Sequence, residues 1–315
     1  CNTCNSFPCR IQKKSDAEVC AVRPALEHAN VELWTRATAL RLVTDPSGRR
    51  VEAAEIERGG PGGEITRVTA PRFIVSCGAV NSAALLLRSA NDKHPDGLAN
   101  SSGLVGRRYM AHLATMMQGF NPLKKNDTVF QKTVAINDFY LKGPDGGHPL
   151  GQIQSQGRTH GIMAQAVVPW IPLWLYDAWV ARGVDWLVMS EDLPRDDNRV
   201  TIDAAGRVHL DYRPNNTSAH RRLVKEMTRL LHRLGFWKVM KYSHASRNTT
   251  HQCGTLVFGT DPARSVLDTF CRTHDVENLF VVDASFFPSS AAVNPGLTII
   301  AQALRAADHV QAELS

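Results

Sequence analysis

The stretch from Asn278 to Leu314 constrains this chain more than any other, because it lays down a buried strand, a polar corner and a helix start in one order. Leu279 to Val282 is β-branched and aromatic, the composition of a buried strand, and Asp283 closes it. Ala284-Ser-Phe-Phe-Pro288 and a small-residue corner lead to Asn294-Pro295-Gly296-Leu297-Thr298. Beyond Pro295, the apolar residues Leu297, Ile300, Ala301, Leu304 and Ala307 recur at helical spacing, which predicts a helix with that face buried. Asn294 is expected to cap it, with Pro295 at the first helical position, where a missing N–H costs nothing. The first-turn amides then face whatever lies before Asn294, with about half a positive charge that favours an anion or an electron-rich acceptor.

A second stretch answers the first. Thr250-His251-Gln252-Cys253-Gly254-Thr255 offers a histidine, which titrates near neutral pH and suits a catalytic base. Asn294 offers an amide that can orient a substrate oxygen without titrating. His112, His160, His244 and His274 lack such a context and are set aside as surface or core residues.

Together these residues resemble the C-terminal signature of the glucose-methanol-choline (GMC) family of flavin-dependent oxidoreductases. That signature is a His-x-x-Gly-Thr motif, a strand ending in Asp-Ala-Ser, here Asp283 to Ser285, and a His or Asn before a helix, here Asn294. Order and spacing agree from His251 to Val310, and weaker likeness extends back to Cys1. The resemblance implies FAD as cofactor and oxidation of a CH–OH group of an alcohol or sugar, as a dehydrogenase or an oxidase. His251 would take the hydroxyl proton while hydride passes to flavin N5, with Asn294 as its partner on the substrate oxygen. The amides from Pro295 to Thr298 would face the flavin N1 and C2 carbonyl, and Asp283 and Ala284 the ribityl and pyrophosphate. The resemblance also makes Cys77 and Gly78 a turn beside the FAD ribose and phosphates, where a plain strand-to-helix turn is the equal alternative. It makes Thr38 a backbone contact to adenine.

Composition narrows the remaining classes. Of 315 residues, 43% are hydrophobic, enough to bury a substantial core. The net charge of +6 is spread along the chain without a basic arm, so no nucleic-acid partner is expected. The longest apolar patch, Val167 to Val180, is broken by Pro169, Pro172 and Asp177, so no membrane span is expected either. Cys1, Cys4, Cys9 and Cys20 form the densest cysteine cluster, compatible with zinc, an iron–sulfur cluster, a redox disulfide or a turn; a turn without metal is expected, since no second Cys-x-x-Cys or His pair completes a site.

The expected fold is α/β in the α+β sense: a partial Rossmann-like FAD-binding domain with a β-meander, and a substrate domain built on an antiparallel sheet. Val31 to Leu33, Thr38 to Thr44, Arg50 to Ile56 and Glu64 to Thr69 read as the meander, with turns at Asp45 to Gly48 and Gly59 to Gly63. Phe73 to Cys77 reads as a buried strand running into a helix, Asn198 to Tyr212 as a hairpin about Asp203 to Gly206, and Ser218 to Leu234 as an amphipathic helix with a solvated basic face. Trp170, Trp174, Trp179 and Trp186 read as core and interface packing. Domain limits are placed at 1–105 and 246–315 for the FAD-binding part, and 106–245 for the substrate part. No Gly-x-Gly-x-x-Gly occurs, so an FAD-binding N-terminal segment is expected to precede Cys1. A non-catalytic remnant, or a subunit of a split flavoprotein that serves as a binding partner, is the alternative.

Overall fold

The computed structural model describes residues 9–129, 132–243 and 250–314. Cys1, Cys4 and His244 lie outside that range. After a helical turn at Glu18–Val22 and α1 (Arg23–Ala25), the chain forms an antiparallel meander of β1 (Ala37–Thr44), β2 (Val51–Arg58) and β3 (Glu64–Thr69), turning at the two predicted loops. Val31 to Leu33 is not a strand: Val31 and Leu33 are exposed, and among the described residues no strand pairs with this stretch.

β4 (Phe73–Val75) runs into α2 (Gly78–Arg88), and β4 pairs in parallel with β12 (Leu279–Val281), some 200 residues later in the chain, with Phe73 opposite Leu279 and Val75 opposite Val281. Their core also takes in the hairpin of β9 (Arg199–Ile202) and β10 (Val208–Asp211), which packs on α2 although it falls between residues 106 and 245.

The other unit is a five-stranded antiparallel sheet in the order β11-β5-β8-β7-β6, from β5 (Leu113–Phe120), β6 (Ala135–Ile136), β7 (Gln152–Gly157), β8 (Gly183–Ser190) and β11 (Lys238–Ser243). Strand alternation gives it two distinct faces. Met117, Ile153 and Val188 point to one face, where α5 (Thr217–Arg233) buries Leu223, Met227 and Leu231 at helical spacing. Two short helices, α3 (Gly161–Val167) and α4 (Leu173–Val180), stand over the other face. Only Trp186 of the four tryptophans packs against a core; Trp170 is exposed ahead of α4, and Trp174 and Trp179 are exposed because α4 is apolar nearly all round and so short that one side must face outward.

α6 (Gly296–Leu314) corrects two expectations. Pro295, not Asn294, precedes the first helical residue: its carbonyl accepts from Ile299 N at 3.0 Å, while the Asn294 side chain turns elsewhere. The apolar stripe is also not buried. Leu297 is 82% exposed, Ile300 49% and Leu304 63%, whereas Ala306 and Val310 make the actual contact with the core. Ile74, in the middle of β4, is likewise 54% exposed.

His220 on α5 is buried between Thr115 and Ser190, at 2.8 Å and 3.0 Å from their hydroxyls, and burial pulls its pKa down from 6.5 to about 4. The unfolded chain therefore binds one more proton than the folded one between those values. Its contribution, on the order of 3 kcal/mol, is complete above the unfolded pKa and is lost as pH falls toward the folded one. Thermal unfolding at pH 7 and pH 4.5 is expected to show a large acid destabilisation that shrinks in His220→Gln; an equal acid shift in both would contradict it.

Candidate active site

Met110 and Cys253 exchange backbone hydrogen bonds, each N–H to the other's carbonyl at 2.9 Å. Two residues onward in one segment and two back in the other lie His112 and His251, so this antiparallel bridge sets the two rings opposite each other. Their Nδ1 atoms are 2.8 Å apart and the rings meet edge to face at 72°. His112 is a candidate site residue the sequence did not reveal, being 139 positions from its partner.

The His-x-x-Gly-Thr segment is held on both sides. Gly254 has a φ of +79°, and a Cβ there would stand 2.2 Å from the Arg108 carbonyl, so only glycine fits. Gly254 N and Leu256 N donate to the carbonyls of Ala284 and Ser285, and the Thr255 hydroxyl donates to the Ala79 carbonyl at 2.6 Å. The segment thus joins the stretch leading into β5, the turn after β12 and the first turn of α2. His251 itself sits at φ +58°, a left-handed conformation fixed by these flanking bonds.

The hydrogen-bond network determines which ring nitrogen of His251 is free. His112 Nε2 lies 2.9 Å from the Ser290 carbonyl, which can only accept, so Nε2 carries the proton. Burial, the dominant influence, holds His112 below the ordinary histidine pKa and thus neutral, and its Nδ1 is then an acceptor. His251 Nδ1–H must donate to it, which leaves the His251 Nε2 lone pair available. Ser290 is itself locked: its hydroxyl accepts from Asp192 N at 3.0 Å and donates to the Asp192 carbonyl at 2.9 Å. Half-buried His251 has its pKa lowered to about 4, chiefly by burial, with the nearby Lys132 charge adding to it, so it is neutral at physiological pH.

Asn294 is exposed, and its Oδ1 accepts from Gln154 Nε2 on β7 at 2.6 Å. Gln154 accordingly holds the Asn294 amide with its NH2 turned outward. Gln154 Nε2 also donates to Gln152, and Gln152 to Asn137, so a row of amides runs along this edge of the sheet. No hydrogen bond links Asn294 to His251 directly; both are tied to the Ser290–Asn294 segment, His251 through His112.

Asp283 is fully engaged by the protein. Its Oδ2 accepts from Gly78 N at 2.9 Å and from the Ser82 hydroxyl, and its Oδ1 from Ser285 N at 2.8 Å and the Ser285 hydroxyl. Those four bonds saturate a carboxylate, so Asp283 clamps the start of α2 to the end of β12. Cys77 lies beside this clamp and Ala284 within it, whereas Thr38 is on the exposed edge strand β1, and no hydrogen bond ties it to the other candidates. Among the described residues, no group of three or more metal-binding side chains converges. No described helix is long and apolar enough to cross a membrane.

Two family models described as GMC oxidoreductase match the chain, an N-terminal one over residues 1–114 and a C-terminal one over residues 194–303. The chain belongs to the GMC oxidoreductase family. The 6'''-hydroxyparomomycin C oxidase of Streptomyces lividus is 32% identical over 99% of this chain and 57% of its own length. The paromamine 6'-oxidase of Streptomyces fradiae is 32% identical over 99% of this chain and 58% of its own. This GMC chain thus spans somewhat over half the length of these relatives. The solved formate oxidase of Aspergillus oryzae RIB40 superposes with a TM-score of 0.60 at 15% identity, covering 88% of this chain and 60% of that one. FAD is the cofactor of the GMC family. The residues present suit it: Gly78 and Gly296 have open space where a Cβ would stand, and the first turn of α6 exposes the amides of Gly296, Leu297 and Thr298.

Proposed function

We propose that this chain forms the catalytic part of an FAD-dependent oxidoreductase that oxidises a CH–OH group of an alcohol or sugar. The observation that carries this is the His112–His251 pair, which presents one neutral imidazole with its lone pair on a defined nitrogen. FAD, when bound, supplies the hydride acceptor. His251 Nε2 accepts the hydroxyl proton, and the Asn294 amide donates to the substrate oxygen. As His251 becomes positive, His112 Nδ1 continues to accept from it and stabilises the charge, much as an oriented partner does in other base pairs. The exposed amides of Gly296 to Thr298, at the positive end of a 19-residue helix, would hold the electron-rich edge of the flavin, and the main chain at Cys77, Gly78 and Ala284 its ribityl and phosphate part.

The open surface supports a missing N-terminal FAD-binding segment as a partner. A parallel strand pair is normally buried on both faces within a wider sheet, yet β4 has no second neighbour among the described residues, and Ile74 and the α6 stripe are exposed. A strand beside β4 and a helix over α6 would complete that half of the FAD site.

Anaerobic mixing of the full-length flavoprotein with a panel of alcohols and sugars tests the reading. Bleaching of the oxidised flavin band by some member is expected, and no bleaching by any alcohol or sugar would count against it. In His112→Phe, the reduction rate is expected to fall about tenfold, because His251 loses the acceptor that orients it. The acid limb of that variant should also move to lower pH, since protonated His251 loses the neutral His112 Nδ1 that accepts from it and stabilises its charge. A purely structural role for His112 would slow the rate without moving the limb.

A further inference from the structure

A cavity of about 770 Å³ lies between the five-stranded sheet and the α3–α4 pair, walled by Met116, Met240, Ile171, Leu175 and Trp179. Its position relative to the site follows from register. Gln154, the residue that holds Asn294, stands opposite Leu187, Leu187 opposite Met116, and Met116 opposite Tyr242, so the four share one face of the sheet. Strand spacing puts Met116 about 10 Å from Gln154. Along β5, Met116 comes four residues after His112, about 13 Å. The cavity therefore opens on the same face as the proposed reaction centre and begins roughly one short substrate length away.

Among its described polar side chains, Trp179, Gln118 and Asp185 are bonded in a chain, the Tyr176 hydroxyl donates to the Val168 carbonyl at 2.8 Å, and Lys241 and Tyr242 also line it. Trp179 Nε1 donates to Gln118 Oε1 at 2.6 Å, Gln118 Nε2 donates to Asp185 Oδ1 at 2.8 Å, and Thr159 N donates to Asp185 Oδ2 at 2.7 Å. This chain of bonds satisfies the buried Asp185 and leaves the cavity with mainly thioether, aliphatic and aromatic surface. A polyhydroxylated or cationic ligand would lose its hydration there without recovering hydrogen bonds. An apolar one gains from every methylene it buries. A cavity of this size takes a drug-sized body.

We infer that this cavity receives the apolar body of the substrate, and that the enzyme's preferred class is alcohols whose hydroxyl-bearing carbon is joined to a large apolar group, such as a long alkyl chain. This rests on the oxidoreductase reading above and narrows it: the hydroxyl is at His251 and Asn294, and the apolar part runs across Leu187 to lie under α3 and α4.

The test uses the full-length flavoprotein and straight-chain primary alcohols from 1-butanol to 1-dodecanol. kcat/KM is expected to be flat while the chain is too short to span the 10 Å or so from Gln154 to Met116. It should then rise about fourfold per added methylene, as burial of a methylene dictates. Ala164→Trp on α3 and Met240→Trp on the edge strand β11 each fill the cavity from a different wall and should abolish the rise while leaving 1-butanol unaffected. Retention of radiolabelled 1-dodecanol is measured alongside. Binding by the wild type that both variants lose supports the chamber even if no flavin is reduced, in which case the oxidoreductase reading fails alone. Short alcohols reducing the flavin with no chain-length gain and no dodecanol retention would overturn the chamber and leave that reading intact. A higher kcat/KM for a polycationic amino sugar than for any long alcohol would also overturn it.

Discussion

In the full-length flavoprotein, His251→Ala is expected to slow flavin reduction by at least about two orders of magnitude, the lower bound of what a positioned base contributes. FAD should remain bound. Within the His112–His251 pair, the substitution removes the ring whose Nε2 lone pair is free, since His112 Nε2 is committed to Ser290 and its Nδ1 to His251. Cofactor retention is expected because the main chain at Gly78, Ala284 and Gly296 to Thr298, rather than the His251 side chain, is what the ligand would touch. Stopped-flow bleaching at saturating alcohol, with bound FAD measured from the visible spectrum, separates the two effects. An unchanged rate would remove His251 from the chemistry; simultaneous loss of colour and rate would make it a cofactor-binding residue.

The second large effect concerns the exposed apolar surface. Leu297, Ile300, Leu304 and Ile74 together stand open on α6 and β4. Full burial of such a side chain stabilises by about 1.5–3 kcal/mol, so covering these four is worth on the order of 5 kcal/mol even when half is already buried. That is comparable with the whole net stability of a typical domain. The 315-residue chain produced alone is therefore expected to aggregate, lack yellow colour and show no activity. Joined to, or refolded with, an FAD-binding N-terminal segment, it should become soluble and coloured. A soluble, FAD-loaded, active product from this chain by itself would contradict the proposed partner.

Legibility in the sequence followed the range of the interaction. The meander, the β9–β10 hairpin and α5 are set by alternation, turn residues and helical spacing within a few positions, and each formed where those signals lie. The α6 stripe was legible as a stripe, but periodicity says only that one face is apolar, not what covers it. Val31 to Leu33 had the composition of a strand and no neighbour to complete it, which composition cannot report. Asn294 looked like the cap because Asn is a good one; its amide instead bonds Gln154 on another strand, and the Pro295 carbonyl begins the helix. His112 was invisible for the same reason at greater range. Nothing near it marks it, and only the Met110–Cys253 bridge brings it to His251. Asp283 was recognised as important, yet its four donors come from α2 and Ser285, so its side chain holds the fold together.

The most direct measurement of the site chemistry is the pH dependence of anaerobic flavin reduction by a saturating alcohol, followed from pH 4 upward. A protonated imidazole cannot take the hydroxyl proton, and burial, aided by the Lys132 charge, lowers the His251 pKa to about 4. The rate is expected to be flat through neutrality and to fall only as the pH drops toward that value. A rate that climbs with pH through the ordinary histidine range near 6.5 would show that His251 titrates there rather than near 4 and would contradict the burial-lowered base on which this account rests.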